Sequence, residues 1–175
     1  MSRLSGKRFL QFVEDEYEDL ELWYPKIRLT EEGAQVVTVG PEKGRVYRGK
    51  NGYPCKADSS FDEVGAGDFD GLLIPGGYAP DKIRRYPKAL ELTKEFHKAG
   101  KIVAFICHAG WVPISAGILK GAKATSFSAI KDDMVNAGVN WVDEPVVVDK
   151  NLISSRTPAD LPHFCKAIIE AASSN

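Results

Sequence analysis

An unbroken apolar run, Ile102 to Ile106, stands directly before Cys107-His108 within K-I-V-A-F-I-C-H-A-G-W-V-P-I-S-A-G-I-L, Lys101 to Leu119. A run of this kind, without polar alternation, reads as a strand buried on both faces. The small-residue segment after Ala109 reads as a helix, so Cys107 and His108 fall at the junction. A thiol at a strand-to-helix turn is held by rigid elements and meets amide N–H groups and a positive dipole end that favour thiolate. That is a setting for a nucleophile.

The surrounding elements extend this frame. Arg8 to Val13 is a β-prone run that enters an acidic cluster, and Leu20, Tyr24 and Ile27 then recur at the spacing of one helical face. Gly33 ends that helix, and Ala34 to Val39 forms the next strand. Between Gly44 and Lys56, an Asn51-Gly52 pair separates short alternating segments, the pattern of an antiparallel hairpin appended to the sheet. Asp68 to Pro75 predicts another buried strand, stopped by Pro75-Gly76-Gly77, where a tight turn leaves backbone amides exposed. Ala89, Leu92, Phe96 and Ala99 mark a helix that closes at Gly100 before the Ile102 strand. Strand, helix, strand in that order implies right-handed crossovers and a parallel sheet.

Beyond the Cys107 turn, the pattern predicts a short segment at Ala122 to Thr125 and a helix near Ser128 to Ala137. Short strands follow at Val139 to Val148 and Asn151 to Ser154, turning at Asp149-Lys150. Leu161, Phe164, Cys165, Ile168, Ile169 and Ala172 define an apolar face of the last helix. Thr157-Pro158-Ala159-Asp160 supplies its N-cap, first-turn proline and acidic position. The fold class expected is a three-layer α/β/α sandwich with a mainly parallel, flavodoxin-like sheet. It is expected to be a single domain over residues 1–175, with the first seven residues as a loose extension.

A length of 175 residues suits one core, and a formal net charge of -1 gives no basic footprint for nucleic acid. Neither a bilayer-spanning run nor a signal peptide is visible, so a cytoplasmic protein is expected. The cysteines Cys55, Cys107 and Cys165 are odd in number and irregularly spaced, which predicts reduced thiols rather than a disulfide framework or zinc site. Cys165 belongs to an apolar stripe, and Cys55 has no acid or base beside it. His97 and His163 read as surface residues.

In an open parallel sheet, ligands bind beyond the carboxyl ends of the strands. The acidic cluster Glu14, Asp15, Glu16, Glu18, Asp19 and Glu21, the Pro75-Gly76-Gly77 turn, and Cys107-His108 all fall on that edge. Thiol, carboxyl, imidazole and free amides together suit attack on a carbonyl with oxyanion stabilisation. Periodicity alone does not say which acid faces the cysteine, since acids at a helix start also complement its dipole.

Longer motifs extend these features: E-Y-E-D-L-E-L-W-Y-P at Glu16 to Pro25, L-L-I-P-G-G-Y-A-P-D at Leu72 to Asp81, I-C-H at Ile106 to His108, and I-S-A-G-I-L-K-G at Ile114 to Gly121. K-D-D-M-V-N-A-G-V-N-W-V-D at Lys131 to Asp143 and S-S-R-T-P-A-D-L-P at Ser154 to Pro162 follow. In this order they resemble the PfpI-like (ThiJ/PfpI) family of the class I glutamine amidotransferase-like superfamily, over nearly the whole chain. The resemblance implies that Glu18 hydrogen-bonds the Cys107 thiol, and that the amides of Gly77 and His108, with Gly76 adjacent, form an oxyanion site. It also implies that Asp81 orients His108 across a subunit interface, and hence a homo-oligomer, a dimer that can assemble into a hexamer.

Two positions depart from the family pattern: Ala109 replaces the glycine of C-H-G-P, and Phe105 stands where sharp elbows prefer small side chains. Trp111, Ala109 and Tyr78 are expected around the pocket. The activity implied is cysteine-dependent chemistry on reactive carbonyls, of the glutathione-independent glyoxalase III or deglycase type. Its substrates would be small carbonyls or glycated amino and thiol groups, with no metal or cofactor. A peptidase built on Cys107, His108 and Asp81 is the alternative, and a redox sensor or holdase acting through Cys107 oxidation is a third.

Overall fold

A computed structural model describes residues 2–174. The chain enters through β1 (Arg8–Phe12), turns through the acidic segment into α1 (Asp19–Glu31), and returns in β2 (Gln35–Gly40). The hairpin β3 (Val46–Arg48) and β4 (Pro54–Lys56) follows, then a brief edge strand β5 (Ser59–Ser60). Next come β6 (Gly71–Ile74), a short α2 (Ala79–Ile83), α3 (Pro87–Lys98) and β7 (Ile102–Ile106). A 3-10 turn at Cys107–Gly110 leads into α4 (Trp111–Ser115). The remainder is β8 (Lys123–Ala124), α5 (Lys131–Asn136), β9 (Asn140–Trp141), β10 (Val146–Asp149), β11 (Leu152–Ser155) and α6 (Leu161–Ser173).

Seven strands form one sheet in the order β10-β11-β7-β6-β1-β2-β5, parallel throughout except for the β10–β11 pair. Without the edge pieces this is the flavodoxin-like order 2-1-3-4-5. The sheet is covered on both faces, as its unbroken apolar strands require. In β7, Val103 and Phe105 point into one core with Leu92 and Phe96 of α3, while Ile102, Ala104 and Ile106 join another with Phe164, Ile168 and Ile169 of α6. Strand periodicity of two against helical periodicity of about 3.6 thus yields three layers. Strand order reverses at β1, so the crevice opens beyond the carboxyl ends of β1, β6 and β7.

Three expectations are corrected. The hairpin is a separate two-stranded sheet and not an extension of the main one. The expected loose extension over the first seven residues, of which residue 1 lies outside the described residues, is tied down at Leu4, which is fully buried in the α6-side core and whose amide bonds the Glu32 carbonyl at 2.8 Å. Third, the inward face of α1 is out of phase with the reading above. Leu20, Tyr24 and Ile27 are exposed, whereas Glu21, Leu22, Pro25 and Leu29 are buried. Pro25 leaves the helix short of one N–H donor, and the buried Gln11 amide takes up the nearby Leu22 carbonyl at 2.9 Å.

His97 also departs from its surface reading: it is partly buried, and its Nδ1 lacks a hydrogen-bond partner among the described residues. No helix among the described residues is long and apolar enough to cross a membrane. Leu4→Ala is expected to destabilise the fold by about 2–5 kcal/mol, the range for emptying a buried leucine site. Chemical denaturation of the two proteins measures it.

Candidate active site

Each strand end delivers a different chemical group. After β7 the chain makes an abrupt turn, and Cys107 sits at φ 63, a left-handed conformation that costs a non-glycine residue about 1–3 kcal/mol. This is the elbow anticipated from the Ile102 strand, formed despite Phe105, whose side chain is buried in the core on the α3 face. After β6, Gly76 and Gly77 are both buried. A Cβ on Gly76 would lie 2.5 Å from Glu21 Oε1 and 2.7 Å from Cys107 Cβ, so only glycine lets thiol and carboxyl meet there. Gly77 takes φ 79 and presses against the backbone of Glu16 to Glu18, with Tyr17 bridging to it. The amides of Gly77 and His108 converge on the Cys107 sulfur.

The acid against the thiol is Glu21, which corrects the assignment of Glu18. Glu18 is the N-cap of α1, where its Oε2 accepts from the amides of Leu20 at 3.0 Å and Glu21 at 3.3 Å. Glu18 still borders the cleft, but its Oε2 is committed to the cap. Glu21, one turn into the helix, is 1% exposed. Among the described residues neither of its oxygens has a partner of standard hydrogen-bond geometry, and the groups close enough to interact include the Cys107 thiol and the Gly76 amide.

Burial first, and the Glu18 charge second, push the Glu21 carboxyl up to about 8. Burial and then the Glu21 charge push the Cys107 thiol up to about 12, against the pull of the His108 and Gly77 amides. The two groups act on each other and titrate as a pair. Near neutrality the pair therefore holds both of its protons, and the carboxyl is the first to lose one.

His108 stands beside the sulfur, with Nδ1 3.2 Å from Sγ, and its ring stacks on Phe127 at 4.9 Å between centroids. Burial, then the charge of Lys50, lower its pKa, so the imidazole is neutral and free to take a proton. Asp81 is half-exposed on α2 and ion-paired with Arg85 at 2.5 Å. Within one chain it makes no contact with His108.

Thiol and imidazole open into a cleft of about 390 Å³, bordered also by Tyr78, Lys50 and Thr157. Tyr78 is thus where it was expected. Trp111 and Ala109 are not among its lining residues: Ala109 is fully buried, and the Trp111 indole meets the edge of His108 and donates to Asp133 at 2.9 Å.

Sequence reasoning held Glu21 only as one of six candidate acids, and it missed the cleft positions of Lys50, Phe127 and Thr157. Thr157 was read as a helix cap, but its side chain makes no cap bond; it lines the cleft. Its loop is clamped by Arg156, which donates to both carboxylate oxygens of Asp160 at 2.9 and 3.0 Å. The other acids of the cluster also have specific duties beyond the helix dipole. Glu14 accepts from the Tyr86 hydroxyl, Asp15 from the Arg48 amide, and Glu16 pairs with Lys82.

The chain and its fold are similar to known proteins. A sequence model of the DJ-1/PfpI family matches residues 7–171. The chain is 52% identical to "Deglycase PfpI" of Pyrococcus furiosus over 156 residues, 89% of this chain and 93% of that one. It is 39% identical to "Protein/nucleic acid deglycase 2" of Escherichia coli, over 91% of this chain and 94% of that one. Among solved structures, a two-domain protein from Anabaena variabilis with DJ-1/ThiJ/PfpI-like and ferritin-like domains superposes with a TM-score of 0.94 at 41% identity. That match covers 95% of this chain and 48% of the larger one.

Two outcomes are expected from the geometry. Gly76→Ala should drive Glu21 and Cys107 apart and abolish thiol-dependent activity, which an activity assay on folded protein reads directly. The folded state keeps a proton on Glu21 up to about 8, whereas the unfolded chain releases it near the ordinary value of 4.5. The favourable contribution is therefore fully present below about pH 4.5 and is lost as pH rises through about 8. Glu21→Gln should flatten that part of the pH–stability curve, read as the wild-type-minus-variant difference in Tm.

Proposed function

The chain belongs to the DJ-1/PfpI family, and on that premise we propose that it is a deglycase-type enzyme whose Cys107 thiol attacks the aldehyde carbon of reactive dicarbonyls and of their early adducts on amino and thiol groups. The observation that carries this reading is the buried Glu21 carboxyl set against the thiol, with two backbone amides converging on the sulfur.

With methylglyoxal, the sulfur bonds to the aldehyde carbon while the ionised form of Glu21, a minority species near neutrality, takes the thiol proton. The resulting oxygen is held by the amides of Gly77 and His108. His108, neutral at rest, takes the proton from the carbon bearing sulfur and returns it to the neighbouring carbonyl carbon through an enediol. The hemithioacetal thereby becomes a thioester of lactate with no external oxidant. Water hydrolyses it, releasing lactate and restoring the thiol. With an adduct, the same attack breaks the bond to the carrier nitrogen or sulfur, and Glu21 supplies the proton that the leaving group needs. A carboxyl group with a pKa near 8 is suited to both directions of transfer near neutral pH.

Cys107→Ala should abolish lactate formation from methylglyoxal. Glu21→Gln should lower kcat/KM by about 10²-fold or more, the scale of a lost acid–base group. Glu18→Gln should cost far less. Equal losses in the two glutamine variants would contradict the assignment of Glu21.

A second reading, peptidase activity in a homo-oligomer, is favoured by the 3.2 Å contact between Cys107 Sγ and His108 Nδ1. It requires an acid for His108 from outside the chain, and Asp81 across a subunit interface is the proposed source. Asp81→Ala would then abolish peptide cleavage and leave lactate formation intact, measured on preparations of known oligomeric state.

A further inference from the structure

The cleft above Cys107, about 390 Å³, is far larger than a three-carbon dicarbonyl needs. Its wall includes one basic side chain that the chemistry above does not use. Lys50 lines the cleft, and among the described residues its ammonium has no hydrogen-bond or ion-pair partner. It is close enough to act electrostatically on both Glu21 and His108.

The position of Lys50 is built with care. The Lys50 amide donates to the Tyr17 carbonyl at 2.8 Å, which ties the hairpin tip to the segment pressed against Gly77. Asp19 organises the rest of the tip. Its carboxylate accepts from the Asn51 amide at 3.0 Å, the Asn51 side chain at 3.3 Å and the Tyr53 amide at 3.0 Å. Gly49 lies so close to that carboxylate that a Cβ there would collide with it. The Tyr17 hydroxyl bonds the Tyr53 carbonyl from below. Asp19, the acid at the hairpin tip, is thereby occupied by these donors. The carboxylates facing the cleft from α1 are Glu18, engaged at the cap, and Glu21, buried beneath the thiol. A rigid loop thus carries an unpaired ammonium to the rim of a site sized for more than a dicarbonyl.

We infer that Lys50 is the specificity residue of this site, binding a carboxylate on the carrier portion of the substrate, so that adducts of carboxylate-bearing amino acids or thiols are preferred to neutral ones. This rests on the deglycase reading. The dicarbonyl carbon sits at Cys107 while the carrier extends across the cleft, and its carboxylate pairs with the ammonium at the rim. A single ammonium on a flexible stem acts as a point charge, so the preference should weaken with salt.

The test compares the methylglyoxal hemithioacetals of N-acetylcysteine and of N-acetylcysteine amide, which differ in one negative charge. Wild type should favour the carboxylate adduct by roughly tenfold in kcat/KM, the scale of one charge-assisted contact. Lys50→Met should bring that ratio to about one, and Lys50→Arg should keep most of it. A wild-type ratio near one, or an undiminished ratio in Lys50→Met, would overturn the inference. Failure of the deglycase reading looks different: Cys107→Ala would still consume both adducts.

Discussion

A carboxyl group and a thiol, both withdrawn from water and placed against each other, are the constraint on which the site depends. Neither ionises easily where it lies: burial raises both, and a charge on either opposes charge on the other. Near neutrality both keep their protons, and the carboxyl, the first of the two to ionise, is the proton carrier for the sulfur it touches. An isolated buried carboxylate would be costly, and an isolated buried thiol would be inert. Their adjacency turns two burial penalties into a reactive pair.

The fold around the pair can be understood as the means of enforcing that adjacency. Parallel strands β1, β6 and β7 end side by side, so a helix start, a glycine turn and a strained cysteine converge within one crevice. Gly76 has no side chain because Glu21 and Cys107 occupy the space. Gly77 adopts a left-handed conformation because its amide must face the sulfur while its backbone packs on Tyr17. The strain at Cys107 is held by the fully buried strand before it and by the 3-10 turn after it. Local costs of this kind persist only where the surrounding structure over-determines them.

Much of this could be read from residue order alone, and the failures have physical reasons. The β7 strand, its elbow and the glycine turn were legible because an unbroken apolar run ending in Cys-His, and Pro-Gly-Gly after another, are strong local signals. The inner acid was not singled out from its cluster because the phase of α1 was misjudged. Leu20, Tyr24 and Ile27 look like a core stripe, yet they face solvent. The buried face contains Glu21, Pro25 and Leu29 at i, i+4 and i+8, and a glutamate on that face was the available signal. The family resemblance pointed to Glu18, three residues away and on the helix cap. Lys50 and Thr157 were missed for a different reason: their approach to the cleft depends on tertiary placement of a hairpin tip and a clamped loop. No periodicity encodes such placements.

The coupling between Glu21 and Cys107 is tested most directly by the pH dependence of Cys107 alkylation, followed by mass spectrometry in wild type, Glu21→Gln and Glu18→Gln. Removing the Glu21 charge and its contact with the thiol should lower the apparent thiol pKa in Glu21→Gln, while Glu18→Gln stays close to wild type. A shift confined to Glu18→Gln, or identical profiles in all three proteins, would contradict the account.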